Sequence, residues 1–519
     1  MSVARAPAAA LLLAAAGVVP GAQAAPALPS TNVAWVAAAV DADIDRAFEQ
    51  ARQQKKPVLL YWGATWCPPC NQLKATLFNR QDFAAQARNV VAVHVDGDRP
   101  GAQKLGARFK VRGYPTVILM SPDGAEISRL ASDADALQVM AVLQAGLSGG
   151  RPVKAVLADA RAGRPLSANE WRMLAFHGWE VDEDQLVPAA ERPAVLAELA
   201  SRSPAGDSET TTRLWLKALA AGDEGKGLKP DAALLERVQR VLADPALARA
   251  HLDVLAGEAA DIVRALAPED GAPRRALQER YDAALVRLQA DTTLWRGDRL
   301  GALAGRVALA RLGQPRDVLE PKLPEALVRE VRETAARLDR EITDGYERQA
   351  LITTAAWLLG RVGQWADSDA LLRANLARSH SPYYLMSQLA GNLRRQGRKE
   401  EALRWYQESF DKSVGPATRL QWGAGYLTAL IELDPQDAPR IEKAASQLLA
   451  EAAVDKAAFY ERSARSLQRV SAKLLEWNKD DRQAATLGRL RRQLQGVCAR
   501  VDAADAQRQT CEALLRPRA

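Results

Sequence analysis

Cysteine, histidine, methionine and aromatic side chains are all scarce in this chain. Its 519 residues include 4 Cys, 4 His and 5 Met, and aromatics make up 5%. So few cysteines exclude a disulfide-dense secreted scaffold and any module with several zinc ions. The histidines (His94, His177, His251 and His380) are scattered without metal-ligand spacing, which argues against His-based metal catalysis. Long apolar runs are missing after the first few dozen residues, so no later segment is expected to cross a bilayer. Blocks of one charge are missing too. The net charge of +7 is spread over acidic and basic residues mixed nearly everywhere. The short basic clusters, Arg394-Arg395 and Arg489 with Arg491 and Arg492, sit in helical patterns rather than between aromatics. They read as solvated faces, and nucleic acid is not an expected partner.

What is present begins with an export signal. Arg5 supplies a basic start, Ala8 to Val19 an apolar stretch, and Ala22-Gln23-Ala24 a small-x-small cleavage pattern. The apolar stretch is shorter than the ~20 residues of a membrane span. Residues 1–24 are therefore expected to be a signal peptide. No Cys follows the cleavage region, which excludes lipid attachment there. The Ala- and Arg-heavy usage fits a bacterial protein from a GC-rich genome, so the periplasm is the expected destination, a compartment that permits disulfides. The mature protein is expected to be soluble, not membrane-embedded.

Two textures follow. From Trp35 to Ser148 helical and strand-like patterns alternate. Ile44, Ala47, Phe48 and Ala51 have helical spacing. Pro57 to Trp62 reads as a buried strand, Pro68 to Leu77 as a helix, Val90 to Val95 and Thr116 to Met120 as strands. Ser121-Pro122-Asp123-Gly124 signals a turn into a hairpin partner over Ala125 to Leu130, and Asp133 to Leu147 closes with a helical pattern. These elements make an α/β unit with a mixed sheet, assigned to residues 25–149. Gly149-Gly150-Arg151-Pro152 reads as a linker. Residues 150–519 show almost no strand character. Helix starts are legible at Ser167-Ala168-Asn169-Glu170 and Asp244-Pro245. Gly363 and Gly397 stand 34 residues apart. Around the second, Leu389, Ala390, Gly397, Ala402 and Tyr406 resemble a tetratricopeptide repeat; the unit from Trp357 to Arg378 matches less well, with Ser368 in place of alanine. Helix pairs of this size must stack to bury their apolar faces. Nine of the twelve tryptophans lie in this region and are expected to pack between helices, with ligand stacking as the alternative.

Trp66-Cys67-Pro68-Pro69-Cys70 carries the chemistry. A Cys-x-x-Cys pair can be half a zinc site, but no second pair or His pair completes it. As a structural disulfide it closes too small a loop to constrain the unfolded chain much. A redox role fits best. Cys67 stands at a helix start, where unpaired N–H groups and the helix dipole favour a thiolate. Cys70 lies one turn in, placed to attack a mixed disulfide, and Pro68 suits the first helical position.

Residues 35–148 thereby resemble a thioredoxin-fold domain, through the Trp66–Cys70 motif and Gly113-Tyr114-Pro115-Thr116, whose proline lies 45 positions beyond Cys70. The run from Ala47-Phe48 through Lys56-Pro57-Val58-Leu59-Leu60 resembles the exported branch related to the C-terminal periplasmic domain of the transmembrane disulfide reductant. The resemblance implies that Cys67 and Cys70 are catalytic, that Pro115 is cis and faces them, and that Trp66, Tyr114 and Pro115 bind substrate. It implies no external cofactor beyond the Cys67–Cys70 couple and no metal. The implied partners are exported clients with disulfides and a membrane-bound electron donor or acceptor. Two positions depart from the family. Tyr61 stands where many thioredoxins carry a buried Asp, and Ala92 where a Lys often partners it. The proton acceptor for Cys70 is left open among water, Glu49 and the Tyr61 hydroxyl. His94 is expected to be a packed core residue.

Cys498 and Cys511 flank Asp502-Ala503-Ala504-Asp505 between two helical runs, Ala484 to Arg500 and Ala506 to Leu515. Compartment and even count point to a structural disulfide pinning this terminal hairpin; free thiols or a relay to Cys67 are the alternatives. The expected protein is a thiol–disulfide oxidoreductase with a helical partner-binding region. The competing expectation is a redox-sensitive scaffold whose helices do the main work.

Overall fold

Val58–Gly63 is apolar throughout and buried at every position, which suits the centre of a sheet covered on both faces. A computed structural model describes residues 33–516, apart from 131–135, 183–184, 205, 207 and 223–227. The expected signal peptide lies outside the described residues. Five strands form one sheet: β1 (Val36–Ala38), β2 (Val58–Gly63), β3 (Val91–Asp96), β4 (Thr116–Met120) and β5 (Glu126–Leu130), in the order β1-β3-β2-β4-β5. The β1–β3 and β2–β3 pairs are parallel, and β2–β4 and β4–β5 antiparallel. The sheet is mixed, as expected. The β4–β5 hairpin turns through Gly124, whose φ of 87° is a conformation glycine adopts without Cβ strain.

Five helices cover this sheet: α1 (Asp41–Gln54), α2 (Pro68–Thr76), α3 (Gln81–Ala87), α4 (Ala102–Arg108) and α5 (Ala136–Leu147). Alternation along β2 divides the packing. Val58, Leu60 and Trp62 face α1 and α4, meeting Ile44, Ala47, Phe48 and Leu105. Leu59 and Tyr61 face the other side, meeting Leu73, Phe83 and Leu143 from α2, α3 and α5. This period-two division is the physical content of the strand assignment.

Every further helix among the described residues belongs to the array running from Val153–Arg161 to Gln507–Ala513, and no strand follows β5. The expected linker does not divide the packing. The cluster that holds Leu59 and Tyr61 continues through Val156, Trp171, Leu174, Trp179 and Leu199. His177 forms a bridge with Leu130 at the edge of β5, and Gly178 N–H donates to Arg129 O at 2.7 Å. A short Gly-Gly-Arg-Pro run marks a turn between helices equally well, and tertiary burial decided this case. The helix starts at Ser167 and Asp244 form as read, with both side chains capping N–H groups. Gly363 (φ 80°) and Gly397 (φ 76°) each turn the chain between paired helices, Gly345–Arg361 with Trp365–Asn375 and Pro382–Arg395 with Lys399–Lys412. The array curls back on the sheet: Gly345–Arg361 packs on α2, and Glu461–Trp477 packs on α4.

Candidate functional site beneath the helical array

The chain leaves β2 at Gly63 and enters α2 at Pro68, so the Cys-x-x-Cys segment opens a helix at the end of a central strand. Cys67 is the N-cap, and its Sγ accepts the Cys70 N–H at 3.2 Å. A sulfur placed on the free N–H groups of a first helical turn is a thiolate-favouring arrangement. Pro68 occupies the first turn, where its missing N–H leaves no bond unmade. Cys67 and Cys70 are joined as a disulfide in this structure. Asn71 braces the turn, its amide donating to Thr65 O and Cys67 O at 2.8 Å each. The Tyr114–Pro115 peptide is cis. Thr116, the next residue, pairs with Trp62 at the end of β2 that leads to the motif.

The array covers this site. Cys67 is 2% exposed, Cys70 0% and Trp66 9%. Both cysteines share an apolar cluster with Tyr383, Phe410, Leu420 and Trp422. The Trp66 ring meets Trp422 edge-on at 5.0 Å and Tyr384 in a stack at 5.8 Å. Its Nε1–H donates to Asp98 Oδ2 at 2.8 Å and to Thr418 Oγ1 at 2.9 Å, while the Thr418 hydroxyl donates to Asp98. Arg462 pairs with Asp98, and its guanidinium lies 5.2 Å from the Trp66 ring centroid and 5.1 Å from that of Tyr114. Gln349 donates to Trp66 O at 3.3 Å, and a ring nitrogen of His380 lies 3.1 Å from Thr65 O. Gly415 (φ 94°) lets the array approach this closely, since a Cβ there would stand 2.7 Å from Asp98 Cβ.

The structure therefore brings Cys67, Cys70 and Trp66 together and ties Trp66 to Tyr114 through Arg462. Asp98, Thr418, Arg462, the buried Lys74 and the half-buried Asp96 were missed in the sequence. Asp96-Gly97-Asp98 at the carboxyl end of a parallel strand was the available signal, because ligands and functional groups gather there. Burial, then the neighbouring Asp98, raises the Asp96 carboxyl above its ordinary range. Burial lowers the Lys74 ammonium, and Asp96 partly opposes this. Neither protein candidate for the Cys70 proton acceptor suits the task. Glu49 is exposed on α1. Burial raises Tyr61 far above the ordinary phenol value, and its hydroxyl has no hydrogen-bond partner. His94 stacks on Tyr61 at 5.0 Å, and burial lowers it to about 3, which makes it a neutral packing residue.

Residues 44–147 match the family model of the thioredoxin-like domain. These residues form a thioredoxin-like domain. The same part of the chain is 32% identical over 106 residues to thiol:disulfide interchange protein DsbD 1 of Pseudomonas aeruginosa, covering 20% of this chain and 18% of that one. It is 31% identical over 120 residues to DsbD 2 of the same organism (22% and 20%), and 30% identical over 99 residues to DsbD of Pseudomonas fluorescens (18% and 17%). The chain thus spans no more than about a fifth of the length of these relatives.

Far from the thioredoxin-like motif in sequence, Cys498 and Cys511 are joined between the helices Ala484–Cys498 and Gln507–Ala513. Both are buried in the same apolar cluster as Cys67 and Cys70. No helix among the described residues is long and apolar enough to cross a membrane.

Proposed function

We propose that the protein is an exported thiol–disulfide oxidoreductase whose Cys67–Cys70 couple exchanges with disulfides of client proteins, and whose helices select the client. The observation that carries this is Cys67 as N-cap of α2 with its sulfur on the Cys70 N–H. In the reducing direction the Cys67 thiolate attacks one client sulfur, forming a mixed disulfide and releasing the other as a thiolate. The Cys70 thiolate then attacks Cys67 Sγ, closing the Cys67–Cys70 bond and releasing the second client thiolate. Two electrons pass to the client, and its two thiolates take up protons. A dithiol partner, whose own disulfide then forms, must reduce the couple again. The match to thiol:disulfide interchange proteins supports an exchange partner of this kind, which we take to be membrane-bound. The couple needs no further cofactor, and Trp66 and Tyr114, covered by Arg462 and the aromatic residues of the array, frame it.

Residues 1–24 serve as signal peptide and direct the chain to the periplasm. Residues 25–149 hold the redox centre, residues 150–519 a partly tetratricopeptide-like array, and the Cys498–Cys511 bond staples its end. Insulin reduction by a dithiol-driven assay tests the activity. Turnover is expected in the native protein and is lost in Cys67→Ser; equal rates in both would overturn the proposal. The burial of Cys67 favours a second reading, a scaffold in which the couple's redox state governs how the array binds. Thiol-independent client binding with no insulin turnover would select it.

A further inference from the structure

We propose that a cleft between the Pro68-Pro69 dipeptide and the helical array is the client-binding site, and that it takes an uncharged peptide segment with an aromatic side chain beside the reacting cysteine. The inference rests on the thiol–disulfide reading above and adds where the client sits and what it must look like.

Three observations converge. The first is position. The face that Trp66 and Tyr114 would offer is occupied by the chain's own Arg462, Thr418, Tyr384 and Trp422. Beside the motif, Pro68 and Pro69 form one wall of a cleft of about 510 Å³, and helices Gly345–Arg361, Pro382–Arg395 and Pro416–Leu433 form the opposite wall, Tyr384 and Trp422 reaching from it to the Trp66 ring. That volume lies within the range of specific ligand sites, ~300–1,000 Å³. The second is charge. No acidic or basic residue lines the cleft in a chain that is 26% charged. A charged client side chain would lose hydration there without a counter-charge.

The third is the unspent recognition chemistry. Trp357 in the lining is 50% exposed, whereas Trp171, Trp179 and Trp422 of the same array are buried. Arg361, one turn on, approaches its ring at 5.8 Å, and the half-open indole offers a stacking surface. Gln388 and Gln421 in the lining each hold a side-chain carbonyl oxygen shielded from solvent and without a hydrogen-bond partner. Gln388 is oriented through its amide, which donates to Thr353 O at 2.9 Å. Such oxygens are costly to leave unmatched, and a small turn of either side chain into the cleft would present its oxygen to the backbone N–H groups of an extended peptide.

The test uses the full-length protein, returned to the dithiol after each turnover by dithiothreitol, and symmetrical disulfides of three short peptides that differ only beside the cysteine, carrying Trp, Glu or Lys. Each rate is normalised to that peptide's reaction with dithiothreitol, and hydroxyethyl disulfide serves as a reference small enough to need no cleft. The Trp peptide is expected to show a KM about tenfold below both charged peptides. Trp357→Ala, a change at a half-exposed position, is expected to remove roughly fivefold of that preference through KM rather than kcat. Equal KM values for all three peptides, or an undiminished preference in Trp357→Ala, would overturn the site. Rejection of the Lys peptide alone would assign the effect to the net positive charge and overturn it too. If hydroxyethyl disulfide and every peptide fail to react, the thiol–disulfide reading itself falls, and the site with it.

Discussion

The Cys67–Cys70 and Cys498–Cys511 bonds lie in the same apolar cluster, yet their local settings are opposites. Cys67 caps a helix start, with a proline after it and an aromatic residue before it. Cys498 ends one helix and Cys511 sits inside the next, so neither sulfur stands on a free first turn. The first bond spans 3 positions and restrains almost nothing in the unfolded chain; the second spans 13 and restrains a hairpin. Burial alone therefore does not separate the pair proposed as reactive from the pair proposed as structural. The backbone around the sulfur and the loop it closes do.

The largest effect should come from breaking the first pair. Cys67→Ser is expected to bring insulin reduction down to the uncatalysed rate, whereas the double change Cys498→Ser with Cys511→Ser should leave it measurable. Next in size is the cover over the motif. Arg462→Ala strands Asp98, shielded beside Trp66 and Thr418, a kind of loss worth roughly 3–5 kcal/mol where fully buried. The array should then loosen from the motif, and alkylation of Cys67 in the reduced protein should accelerate by about tenfold or more. An unchanged alkylation rate would mean that the cover does not control access.

Removing the second pair should act on stability instead. A loop of its length predicts a loss of about 3 kcal/mol in the Cys498→Ser, Cys511→Ser variant, read as a lower Tm. The smallest contrast concerns protonation beneath the motif. Burial lowers His94 to about 3, against 6.5 in the unfolded chain. Its contribution is intact above pH 6.5 and declines as pH falls towards 3, because only the unfolded state gains the proton. At pH 5.5 the loss is about 1.3 kcal/mol relative to pH 7. Denaturant titrations at both pH values should show that slope, and His94→Phe should flatten it.

The motif was legible because its signals are local. Trp66 to Cys70 and Gly113 to Thr116 are contiguous, and the strand Thr116 to Met120 was placed at its observed ends. The short strand Val36–Ala38 and the helix Gln81–Ala87 were not, having too few residues to show a period. The cover over the dithiol was also invisible. Asp98 and Arg462 stand 364 positions apart, and a mixed-charge surface contains many such pairs with no mark of which will meet. Gly149 to Pro152 looked like a linker because turn chemistry is the same whether or not the flanking helices share a core.

Everything argued for the first pair depends on Cys67 being the attacking sulfur. The direct measurement is a trap: reduced Cys70→Ser protein is mixed with a client disulfide, and the product is read by intact mass and peptide mapping. A persistent mixed disulfide on Cys67, absent in Cys67→Ser, is the expected result. A Cys67 that remains a free thiol while the client disulfide persists would contradict the account.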